Sequence, residues 1–90
     1  MKIKILYHAS FSDILGREEE TLLAEALTLS DLLDTLLAKN GDQFRELLID
    51  PLTGDISPGV VVLLNHTLHP PGTQLRDGDE VAFLMSLAGG

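Results

Sequence analysis

The sequence predicts an α+β domain, a sheet with one main helix packed on one face and a short tail after the last strand. Three observations predict it. Lys2-Ile3-Lys4-Ile5-Leu6-Tyr7-His8 alternates with a period of two, as a half-buried strand does. Leu29, Leu32, Leu33, Leu36 and Leu37 fall at i, i+3, i+4, i+7 and i+8, one apolar stripe of a helix. Val60 to Leu64 and Glu80 to Met85 are short apolar runs bounded by turn residues, of strand length. The order β, β, helix, β, short β, β suits a helix laid on a sheet in one small domain.

Taken in order, the first strand should turn Ile3, Ile5 and Tyr7 to a core and Lys2, Lys4 and His8 away from it. Ser10 to Gly16 reads as a short helical turn, opened by Ser or Asp and stopped by Gly. Glu18-Glu19-Glu20 reads as a solvated acidic patch, and Thr21 to Ala24 as the second strand. Thr28 stands at the N-cap of the main helix with Asp31 three residues on, a capping box with Asp in place of Glu. Leu27 and Leu32 occupy the positions of a hydrophobic staple, and Asn40-Gly41 offers a left-handed stop. Phe44, Leu47 and Leu48 suggest a further turn or two of helix. Asp50 to Gly54 and Ser57-Pro58-Gly59 are turn chemistry around an exposed loop. The continuous run Val60-Val61-Val62-Leu63-Leu64 reads as a strand buried on both faces. Pro70-Pro71 keeps the stretch between Leu68 and Leu75 from being more than a short strand outside the sheet interior. Asp77-Gly78-Asp79 is a tight turn into the last strand.

Composition narrows the function. Ninety residues hold one core, and with 4% aromatics that core must be built mainly from Leu, Val and Ile. There is no Cys, which excludes disulfides, a thiolate metal site and a cysteine nucleophile. Any sulfur chemistry must therefore use sulfur brought from outside. The net charge of −8 opposes a phosphate backbone and argues against nucleic acid as a partner, while it suits a protein with a basic docking surface. The N-terminal stretch lacks the apolar core of a signal peptide, and Val60–Leu64 is too short to span a bilayer. The expectation is a cytoplasmic protein with no membrane partner.

The usual catalytic patterns are missing. His66-x-x-His69 is the one metal-like spacing, and without Cys or an adjacent carboxylate it falls short of the three or four ligands zinc takes. There is no Gly-x-Ser-x-Gly elbow for a hydrolase and no Gly-rich phosphate loop, so any ATP must be bound by another protein. What stands out is the end, Ser86-Leu87-Ala88-Gly89-Gly90, directly after the last strand. Two glycines make a thin, pliable strip of backbone able to enter a narrow slot. The group at its tip is the α-carboxylate of Gly90, ionised at neutral pH and a poor acyl donor until it is joined to AMP as a mixed anhydride. On the dipeptide alone, a frayed end is the better reading. The chain divides accordingly into a domain over 1–85 and a tail over 86–90.

Several blocks, in order, resemble the MoaD/ThiS family. They are Lys2-Ile3-Lys4-Ile5-Leu6-Tyr7, Asp13-Ile14-Leu15-Gly16 and Thr28-Leu29-Ser30-Asp31-Leu32-Leu33, then Pro58 to Asn65, Leu75 to Ala82 and the ending Leu87-Ala88-Gly89-Gly90. The resemblance implies a ubiquitin-like β-grasp and a sulfur carrier. In the family, a ubiquitin-activating-like enzyme adenylates the C-terminal glycine, which is then converted to a thiocarboxylate. Pro58-Gly59-Val60 and Ala88-Gly89-Gly90 are most similar to the small subunit of molybdopterin synthase, which implies its large subunit as a partner. Gly90 is then the acyl site. Gly89, Ala88, Leu87 and Phe83 are the expected partner-binding residues, with a place in the core an equal expectation for Phe83. No cofactor or metal is expected on the chain itself, ATP being used by the activating partner. A ubiquitin-like modifier of lysines, or a carrier for thiamin, cysteine or another sulfur metabolite, shares the chemistry of Gly90. The chain has Asn65-His66 where the family commonly has Asn-Gly, leaving the form of that turn open, and Met85-Ser86 where proline often precedes the tail.

Overall fold

The computed structural model describes residues 1–25 and 27–86. Its elements are β1 (Lys2–Tyr7), α1 (Ser10–Leu15), β2 (Glu19–Leu23), α2 (Leu29–Leu48), β3 (Val60–Leu64) and β4 (Glu80–Met85). The sheet order is β2-β1-β4-β3, with β1 antiparallel to β2 and parallel to β4, and β4 antiparallel to β3. This is a β-grasp, as the resemblance implies. The chain crosses from β1 to a central parallel neighbour through everything between them, so β4 carries the C-terminal end out of the middle of the sheet. The expected short strand between Leu68 and Leu75 is reduced to an isolated bridge from Gln74 to Thr28. Pro70 and Pro71 supply no backbone donors for a longer ladder.

The core lies between one sheet face and α2. Ile3, Ile5 and Tyr7 of β1 are buried as their alternation predicts. They meet Val81 and Phe83 of β4, Val60, Val62 and Leu64 of β3, and Leu29, Leu32 and Leu36 of α2. Leu33 and Leu37 sit half-buried at the margin of the stripe. The capping box forms, with Thr28 accepting from the Asp31 N–H at 3.2 Å and Asp31 accepting from the Thr28 N–H at 3.0 Å. Those bonds from Thr28 hold the Asp31 carboxyl below its ordinary pKa. The predicted stop at Asn40-Gly41 is a kink. Gly41 takes φ 82°, and helix then resumes to bury Phe44 and Leu48.

Three expectations are corrected. The short helix α1 is not opened by a Ser or Asp cap: Ala9 is its N-cap residue, with no side-chain cap bond and a φ of 52° that an alanine adopts at a cost. Phe11 anchors it by burial instead. β3 is an edge strand buried on one face, since Val61 and Leu63 are only half-buried. The third correction is Glu20, which belongs to β2 and not to a solvated acidic run, and whose side chain is 13% exposed.

Glu20 closes a polar latch at the kinked part of α2. It accepts from Tyr7 Oη at 2.7 Å, from Arg17 Nε at 3.1 Å and from Lys39 Nζ at 2.8 Å. Asn40 donates to Tyr7 Oη at 3.3 Å and accepts from Arg17 at 3.0 Å. Burial disfavours the Glu20 carboxylate, but the bonds from Lys39 and Tyr7 and the charges of Lys39 and Arg17 outweigh it, so its pKa falls. Burial, followed by the bond to Glu20, raises the Tyr7 pKa strongly. The two signs are opposite. A carboxyl lowered on folding contributes stability above its unfolded pKa of about 4.3, lost as pH falls toward the folded value. A phenol raised on folding contributes below its unfolded pKa of about 10, lost as pH rises past it. Glu20→Gln should therefore flatten the acid limb of the stability–pH curve and cost about 1–3 kcal/mol at neutral pH. Tyr7→Phe should flatten the alkaline limb and, by removing one of the bonds that hold the Glu20 pKa down, weaken the acid limb in part. Urea midpoints across pH measure both, and an acid limb unchanged in Glu20→Gln would contradict the latch.

Candidate functional site

β4 is the last strand, and the chain continues from it into residues 87–90. It lies between β1 and β3, with Tyr7 opposite Phe83 on one side and Val60 opposite Met85 on the other. The ladder continues one residue further, where the Ser86 N–H donates to Gly59 O at 2.7 Å. Ser86 is thus the last described residue, bonded to the sheet next to the Pro58-Gly59 turn. Gly90, Gly89, Ala88 and Leu87, the expected acyl site and its approach, lie outside the described residues.

Phe83, the remaining expected partner-binding residue, is 0% exposed and belongs to the core. Its ring centroid lies 5.7 Å from Tyr7, 5.6 Å from Phe11 and 5.7 Å from Phe44. With a period of two along β4, Phe83 must point inward once Val81 does. Of the two expectations for Phe83, burial against three aromatic rings supports the place in the core and not the docking role.

The residues that do face outward near the tail are its neighbours. Ala82 and Leu84 of β4, Leu6 of β1 and Val61 and Leu63 of β3 are half-buried on the sheet face opposite α2. Register places Leu6, Ala82 and Leu63 in one row and Val61 beside Leu84 in the next, nearer Ser86. Toward the other end of the same face come Lys4 beside Glu80, with Lys4 Nζ 3.4 Å from Glu19. The outer face is therefore apolar on β3 and β4 next to Ser86, while Glu19 of β2 lies beside Leu6 and the charges of Lys4 and Glu80 follow toward the other end. An apolar patch on an open sheet face is a candidate interaction surface. One signal in the sequence pointed to it. Val60–Leu64 and Val81–Met85 are apolar at every position, whereas a strand with one wet face should alternate.

At the far end of the β3–β4 pair, Leu64 and Thr67 exchange backbone bonds across Asn65-His66, both with positive φ (50° and 73°). This is the left-handed two-residue turn that Asn-Gly favours, here carrying His at the second position. Asn65 steadies it through Asp79 at 2.9 Å and the Glu80 N–H at 3.0 Å. His66 lies 3.6 Å from Glu80, and His69 shares a 2.8 Å hydrogen bond with Thr67, so the two histidines engage different partners. Among the described residues no three His, Cys, Asp or Glu side chains converge as metal ligands, and no helix is long and apolar enough to cross a membrane.

The model of the ThiS family matches residues 5–90. The molybdopterin synthase sulfur carrier subunit of Chlamydomonas reinhardtii is 31% identical over the whole of both chains. The crystal structure of SAMP1, a small archaeal modifier protein, from Haloferax volcanii superposes with a TM-score of 0.83 at 20% identity, all of both chains being covered. A complex of subunits 1 and 2 of the molybdopterin-converting factor of Helicobacter pylori contains a chain matched with a TM-score of 0.65 at 20% identity, again over all of both chains. At that level of identity the two structures bear on the fold alone.

Proposed function

The chain belongs to the ThiS family, and from that membership we propose that it is a sulfur carrier working at Gly90, most closely a small subunit for molybdopterin synthesis. The observation that carries this reading is the match to residue 90, which includes Gly89-Gly90, together with full-length similarity to a molybdopterin synthase sulfur carrier subunit. In the proposed sequence, a carboxylate oxygen of Gly90 attacks the α-phosphorus of ATP held by a ubiquitin-activating-like partner, and pyrophosphate leaves. The terminal sulfur of a partner's persulfide then attacks the acyl carbon and AMP leaves. A second thiol of the partner attacks the other sulfur of the acyl disulfide so formed, a protein disulfide results, and the thiocarboxylate is released on the carrier. The chain supplies the reacting group and a thin approach to it. ATP, base and sulfur donor belong to partners, so the chain is not an enzyme alone. The five residues from Ser86 reach at most about 16–18 Å, enough to enter a partner's active site while the sheet stays outside. A partner like subunit 2 in the Helicobacter pylori complex would receive the sulfur.

The apolar end of the outer face supports this reading, because a partner seated on Leu6, Leu63 and Leu84 would take up the tail at its root. Leu63→Ser and Leu84→Ser should raise the carrier KM of ATP–pyrophosphate exchange about tenfold or more with kcat retained, since uniform binding is what they remove. Leu23→Ser, exposed on β2 at the charged end of the face, should change neither. Equal kinetics for all three variants would place the docking surface elsewhere. Branched Gly-Gly peptides on lysines of other proteins would favour a modifier over a carrier.

A further inference from the structure

The outer sheet face is not the only incomplete surface. β3 is the sheet edge, and the side turned away from β4 opens into a groove walled by Leu29, Leu33, Val60 and Val62, with Leu68 and Pro71 on its far lip. Leu68 is 75% exposed there, an unusual place for a leucine with no packing to gain. The groove runs on past Leu33 and Ile56 along α2 to a stretch bordered by Asp34 and Asp55. Both are exposed, and neither forms an ion pair among the described residues. Arg45 borders the same stretch, leaving the balance acidic.

The backbone of β3 says what kind of occupant fits. Asn65 N–H to Glu80 O and Ser86 N–H to Gly59 O mark hydrogen-bonded pairs of the antiparallel ladder. Every second residue between them, Val61 and Leu63, bonds to β4, so Val60, Val62 and Leu64 direct their backbone groups to the free edge. Val60 N–H is taken by Ser57 O, and Leu64 exchanges both its groups with Thr67. Among the described residues only Val62 keeps both its N–H and C=O open on that edge. One fully open residue, with Leu64 closed on one side and Val60 half-closed on the other, admits a short extended segment and rejects a long strand.

We propose that the groove between α2 and the β3 edge is a second docking site, for an extended segment of a partner protein that pairs with Val62 and alternates apolar residues with lysine or arginine. Strand addition supplies the backbone bonds and the groove takes the apolar side chains. Asp34, Asp55 and the net charge of −8 select the basic ones and speed their arrival. A second copy of this chain is a poor occupant, since it brings −8 of its own.

Titration of the isotope-labelled full chain with a short synthetic peptide alternating valine and lysine tests this by backbone amide shifts. Saturable shifts at Val62 and Leu68 are expected. A peptide with glutamate for lysine should bind at least about tenfold more weakly, as should the valine–lysine peptide to Leu68→Asp or Asp55→Lys. Both substitutions are exposed and should leave the melt in place. Shifts absent from Val62, centred instead on Leu6 and Leu84, or equal for the two peptides would overturn the proposal. So would concentration-dependent dimerisation through the groove, which would assign it to a second copy. Because the readout needs neither ATP nor Gly90, its failure leaves the carrier reading untouched.

Discussion

Deleting Gly90 is expected to abolish adenylation while leaving the thermal melt in place. The shortened chain still ends in a glycine carboxylate, but one residue back, about 3.5 Å from where it is needed. Misplacement of about 1 Å can already cost on the order of a hundredfold in an oriented reaction. Adding one residue after Gly90 should fail equally, by burying the reactive position within an amide. Gly89→Val should fail by a different route, since a β-branched side chain widens the approach and restricts its backbone. None of these changes should unfold the chain, because every member of the described core lies between Ile3 and Phe83. Pyrophosphate exchange beside a melt separates the two effects. Wild-type exchange by the shortened or extended chain would mean that Gly90 is not the reactive end.

Phe83→Ala is the opposite case, a large loss of stability from a residue four positions before Leu87. Its ring packs against three other aromatic rings with no exposed surface, so truncation should cost about 3–5 kcal/mol. Leu84→Ala, one residue on and half-buried on the other face, should cost much less. Urea midpoints for the two, with partner affinity measured where each remains folded, give the contrast. A stable Phe83→Ala that had lost only its partner would restore the docking role and contradict the core placement.

These two residues show where the sequence was legible and where it was not. The β1 alternation and the α2 stripe each carry a clear period, and both elements formed with the predicted faces buried. The capping box was legible because its partners are three residues apart. Val81–Met85 is apolar throughout, so its period-two signal is silent and nothing local says that Phe83 turns in and Leu84 out. The same silence in Val60–Leu64 hid the edge position of β3. Glu20 was unreadable for another reason. Two of its partners, Tyr7 and Lys39, come from thirteen and nineteen residues away, and only the finished fold brings them together. Run composition suggested solvent, and three-dimensional pairing overrode it.

Intact mass of the full chain after incubation with ATP, a cognate activating enzyme and a sulfur donor tests the carrier reading most directly. A sulfur carrier should give a single species in which one carboxyl oxygen has been replaced by sulfur, and that species should be absent when Gly90 is deleted. An unchanged mass, with the same enzyme shown to be active on its own carrier, would contradict it.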